Sequence, residues 1–188
     1  MTKKDLTGKT YAEVSAQFDK ELEAYHNTVN GVEDIETLTS MEKDLMKDMD
    51  QVDADLKAVK YPLPASVDYD GEHYSKNDIA KQILYFLNKN EVEWKYTLGL
   101  YQLSQLWKKK DFNEISYHEF DSTLRILNQV KYKGFDEWKN ILAVNEYLRA
   151  NHEAYTIDTA VMLLNHQKHQ AILDRMQTLE KVNAEVEA

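Results

Sequence analysis

The nearest approach to a ligand set in this chain of 188 residues is the pair His166 and His169, three apart, together with Glu114 and His118, four apart. On helices those spacings bring both side chains of a pair to one face, as in bundles that hold carboxylate-bridged metals. Such centres also need a glutamate from each of two helices and two Glu-x-x-His motifs, and no Glu-x-x-His is expected at the required spacing inside a bundle helix. The expectation is solvated imidazoles and no metal ligand. Asp68, Asp70 and Glu72 alternate like the first oxygens of a calcium loop, but counting from Asp68 the glycine falls fourth rather than sixth, and Ile79 stands where the bidentate glutamate belongs. That segment reads as a solvated acidic turn.

Nucleophilic chemistry has no candidate. Cysteine is absent, which removes disulfides, thiolate-bound metals and thiol nucleophiles. There is no Gly-rich phosphate loop, no Gly-x-Ser-x-Gly elbow and no His-Glu-x-x-His helix. With 33 acidic residues, close carboxylate pairs are unavoidable and none is singled out as an acid and base. No catalytic residue, cofactor site or metal site is assigned. Lys108, Lys109 and Lys110 follow Trp107, and Lys131 and Lys133 follow a fifth helical stretch. Both groups read as cations complementing a helix C-terminus. A net charge of -10 argues against direct nucleic-acid binding, which needs a concentrated basic face. No window reaches the roughly 20 apolar residues of a membrane span, and the opening residues lack a signal-like apolar run, so the expected location is the cytoplasm, or a virion for a phage-encoded chain.

The elements that would carry these residues are helical. Five glycines and two prolines, about 4% of the chain against about 12% in an average protein, leave too few turns for a sandwich or a nucleotide-binding α/β fold. Tyr11, Val14, Phe18, Leu22, Tyr25 and Val29 recur at helical spacing, and Gly31 offers a left-handed stop. Ile35, Leu38, Leu45, Met49, Val52, Leu56 and Val59 form the next stripe, with Thr39 and Glu42 as a capping box for a late start. Ser75 with Asp78 opens a third helix. Asn90 with Glu93 suggests a break before a fourth, which ends at the lysine run. Ser116 with Glu119 opens a fifth, closed by Gly134; Asp136 begins a sixth, ending near Asn151; the last starts near Thr156.

The expected fold class is all-α, a helical bundle of about seven helices in which an N-terminal α-hairpin and a long C-terminal helix flank an aromatic-rich core. The organisation expected is a hairpin over 1–60, a Pro-containing linker over 61–74, a core over 75–155, and a C-terminal helix over 156–188 packing with the hairpin; the stretch from Tyr61 to Tyr155 holds 17 of the 20 aromatics. Aliphatic ridges on long acidic helices suit a partner helix. The chain therefore reads as a non-enzymatic interaction or assembly protein, an accessory subunit of a larger complex such as a virion, that self-associates or binds a protein through Leu45, Met49, Val52, Leu56, Leu164, Ile172, Leu179 and Val182. Two alternatives are an acidic inhibitor mimicking nucleic acid, since residues 1–60 hold 14 acids against 8 bases, and a helical enzyme or ligand-binding bundle built on Tyr85, Tyr96, Tyr101, Tyr117 and Tyr147.

Overall fold

A computed structural model describes residue 6 and residues 8–89, 97–109 and 112–186. In chain order the elements are α1 (Tyr11–Asn30), α2 (Ile35–Ala58), β1 (Lys60–Pro62), β2 (Ser66–Tyr69), β3 (Glu72–Ser75), α3 (Lys76–Lys89), α4 (Thr97–Lys108), β4 (Glu114–Ser116), α5 (Tyr117–Gln129), α6 (Gly134–Arg149) and α7 (His152–Val186). The protein is mostly helical, with seven helices and four short strands among the described residues. The chain divides into two compact units, one made of residues up to Leu56 together with those from Glu153 onward, the other of Lys57–His152.

In the first unit, local hydrogen bonds set the helix starts. Thr10 caps α1 in a reciprocal box with Glu13. Asp34 starts α2 by accepting from Thr37 N at 2.6 Å and Thr37 Oγ1 at 2.8 Å. The box expected at Thr39 therefore does not form, because α2 begins a turn earlier and the Thr39 hydroxyl donates to the Ile35 carbonyl at 2.8 Å. Gly31 ends α1 with φ at -78°, right-handed rather than left-handed, its N–H returning to the last-turn carbonyls. Two clusters hold the three helices. Val14 and Phe18 of α1 meet Val161 and Leu164 of α7, with Val52 of α2 against them. Further along, Val29 of α1, Leu38 and Leu45 of α2 and Ile172 of α7 close together. These pairings run α1 parallel to α7 and α2 antiparallel to it.

The second unit uses its short strands to tie distant segments together. Residues 61–74 are not a linker. β1 pairs antiparallel with β4, placing Tyr61 opposite Ile115, and β2 pairs with β3 around Asp70 and Gly71. Both turn residues have positive φ, 52° and 76°, the two-residue geometry that Asp-Gly favours between strands. The two prolines lend their carbonyls to α6 and the residues after it: Tyr147 donates its hydroxyl to Pro64 O and Asn151 its amide to Pro62 O, both at 2.7 Å. Burial raises the Tyr147 phenol well above its ordinary value. Fully buried Trp107, Phe86 and Phe120 fill the core, and Trp107 Nε1 donates to Thr123 Oγ1 at 3.2 Å.

Helix boundaries differ from expectation in two further places. Gly134, with φ at 79°, opens α6 rather than closing α5, and Lys133 occupies the N-cap of α6, so Lys131 and Lys133 do not end a helix. α7 begins at His152, four residues before Thr156. The capping pair at Asn90 and Glu93, with Tyr96, lies outside the described residues, whereas Ser75 with Asp78 and Ser116 with Glu119 form their expected reciprocal caps.

Candidate interaction groove

The eight residues expected on a free ridge fall into three groups. Leu45, Leu56, Leu164 and Ile172 are buried. Met49 and Leu179 pack half-buried against the cluster around Ile172, and Val52 against the one around Leu164. Val182 stands 49% exposed. The ridges of α2 and α7 are therefore not open along their length, because α1 contributes Val14, Phe18 and Val29 to the same seam and removes it from water.

Polar contacts fix α7 at the same heights. His169 Nε2 lies 2.9 Å from Glu42 on α2. Lys168 pairs with Glu21 on α1, its ammonium also 5.3 Å from the centre of the Tyr25 ring. Burial, with the nearby Asp48 carboxylate adding to it, raises the Tyr25 phenol above its usual range. Arg175 donates twice to the Val32 carbonyl, at 3.0 and 2.8 Å, closing the turn between α1 and α2.

What stays open is a groove of about 210 Å3 between α2 and α7. Met49, Val52, Leu56 and Met162 supply apolar lining, while Met46, Asp50, Asp53, Asn165 and His166 complete it. Met46 is 42% exposed. The His166 Nδ1–H donates to the Met162 carbonyl at 2.9 Å, which leaves Nε2 as the ring nitrogen a ligand would meet. Three unbranched thioether side chains give a surface that re-packs around an incoming group at low cost. Met46 and Met162 carry no periodic signal because neither belongs to the main apolar stripe; the available signal is the density of methionine on α2, where Met41, Met46 and Met49 lie within nine residues. A smaller depression of about 180 Å3 lies between α1 and α7, beside Phe18, Leu22 and Leu163.

The charged side chains singled out by spacing are paired or dispersed. Asp68 accepts from His73 Nδ1 at 2.7 Å, and Lys139 bridges Asp70 at 3.2 Å and Glu72 at 2.8 Å. The lysine holds the Glu72 carboxyl below its usual range, and Glu72 in turn raises the lysine. Glu114 sits in β4 and His118 in α5; contrary to expectation one Glu-x-x-His spacing does occur on a helix, Glu23 with His26 on α1, and both side chains are exposed. Among the described residues no group of three or more His, Asp or Glu side chains is placed to hold a metal ion. Trp107 is buried against Phe112 at 5.2 Å, so its ring offers no stacking face beside Lys108 and Lys109. Tyr117 and Tyr147 are buried, whereas Tyr85 and Tyr101 are exposed.

A second surface feature surrounds Glu137 in the other unit. Its carboxylate accepts from Lys89, from the Tyr85 hydroxyl at 2.5 Å and from the Lys133 backbone N–H. Those donors, Lys89 foremost, lower its pKa from the ordinary 4.5 to about 2. Tyr132, Phe135 and Trp138 stand exposed beside it. No protein-family model, no curated protein and no solved structure matches the chain.

Proposed function

We propose that this chain is a non-enzymatic interaction and assembly protein, an accessory subunit that docks a protein segment in the groove between α2 and α7. The observation that carries this reading is the methionine-lined groove between α2 and α7, open beside a seam of the three helices that is itself closed. Apolar lining with carboxylates at its edge suits a protruding apolar side chain flanked by cations. The role is that of a soluble component of a larger complex, a virion among the candidates, working without a cofactor and without binding nucleic acid directly. No described helix is long and apolar enough to cross a membrane.

A photo-crosslinking residue placed at Met46, with Thr178 on an exposed position of α7 as control, tests the reading. The expected result is a defined product at position 46, rebuilt from purified components and lost in Asp50→Lys. Equal labelling at both positions overturns it. A second reading, the acidic inhibitor, draws on the exposed Asp44, Asp48, Asp50 and Asp55 of α2. It requires association with a nucleic-acid-binding protein that collapses with added salt.

A further inference from the structure

We infer that the occupant of the groove is a second copy of this chain, which inserts Phe135 from the first turn of α6. The inference rests on the docking reading above and names its partner. Phe135 is 69% exposed, the most exposed large apolar side chain among the described residues. Trp138, one turn on, is 40% exposed, its ring centre 5.5 Å from that of Phe135. Exposed aromatics grouped in this way are the side chains that anchor protein interfaces.

The two surfaces are complementary in three respects. In shape, one is a projecting ring at the start of a helix and the other a concavity of about 210 Å3; apolar cavities of about 150 Å3 admit a benzene ring. In chemistry, the groove presents the thioethers of Met46, Met49 and Met162, and sulfur at an aromatic edge is a favourable contact. In charge, the exposed Lys131 and Lys133 precede Phe135 in the sequence and outnumber the one exposed carboxylate that follows it, Asp136, while Asp50 stands at the groove. Glu137, the carboxylate nearest those lysines in sequence after Asp136, is already engaged by Lys89, Tyr85 and the Lys133 N–H. The projection lies on one compact unit and the groove on the other, so each copy offers one of each surface to its neighbour. One anchor residue makes each contact weak.

The test is sedimentation of the purified full chain over a dilution series from about 10 µM to 1 mM, the range in which weak contacts populate. The expected mass rises above the 22.0 kDa monomer with concentration. Phe135→Ala and Met46→Glu change exposed side chains, and circular dichroism verifies that both fold. Each alone should remain monomeric. Mixed in equal amounts they should form a heterodimer and nothing larger, since each keeps one of the two surfaces. Raising salt from about 50 to 500 mM should weaken association several-fold. A wild-type chain that stays at 22.0 kDa throughout, or that associates equally well without Phe135, overturns the inference. If the position-46 probe nevertheless captures a different protein specifically, the docking reading stands and self-pairing alone is lost.

Discussion

Replacing Ile172 by alanine separates a closed three-helix seam from a free ridge. Ile172 has no exposure and lies where Val29, Leu38 and Leu45 converge. The substitution removes three carbon groups, each worth about 0.8 kcal/mol on transfer from water, or about 2.4 kcal/mol together. The residual void adds to this, giving an expected loss of about 3–4 kcal/mol. Val182→Ala, on the same helix at a 49% exposed position, should cost under about 0.5 kcal/mol. Urea unfolding followed by far-ultraviolet circular dichroism reports both, because α1, α2 and α7 supply much of the helix signal. With a slope of about 2 kcal/mol/M, the midpoint of the Ile172 variant should fall by about 1.5–2 M and that of the Val182 variant by less than about 0.3 M. Both are compared at one low protein concentration, so that self-association does not enter. Equal effects, or a loss under about 1 kcal/mol at Ile172, would mean that its side chain faces water in the isolated molecule and that the packing of α1 over the seam is wrong.

Glu137 gives a pH dependence of definite sign. Its folded pKa is depressed from 4.5 to about 2, so its stabilisation is complete above about pH 5 and fades as pH falls towards 2; the stability difference between wild type and Glu137→Gln should shrink over that window in acid titrations. Gly71 has φ of 76° and open space around its missing Cβ, so Gly71→Ala should cost about 1–2 kcal/mol from backbone strain alone, readable as a lowered melting temperature. Ser116→Ala removes the hydroxyl that caps α5 and should cost about 1 kcal/mol in denaturant titration. Thr123→Val keeps the shape but strands the buried Trp107 N–H, for an expected loss of about 1–3 kcal/mol by the same measurement.

Helices were legible in this sequence wherever their signals are local. The stripe from Val14 to Val29 and the caps at Ser75 and Ser116 depend on neighbours three or four residues away, and the structure has helices there. The Asp70–Gly71 turn carried a comparable local signal, a two-residue loop between Val67, Tyr69 and Tyr74, yet the prolines nearby drew the segment towards a linker reading. Pairing of β1 with β4 had no such cue, since it joins Tyr61 to Ile115 across four helical or strand elements and each strand is only three residues long.

The candidate site was legible only in part. Met49, Val52 and Leu56 were reachable from periodicity, and all three line the groove. Met46 and Met162 were not, because a hydrophobic stripe states which side of a helix avoids water and is silent about its neighbours. Composition and spacing alone settled that the chain is mostly helical, strongly acidic and without thiol chemistry. Which apolar ridges are covered, and where a gap remains, was decided by the packing of α1, α2 and α7, because burial depends on what another segment brings to the same place, and contacts between residues over a hundred positions apart leave no trace in the spacing of either.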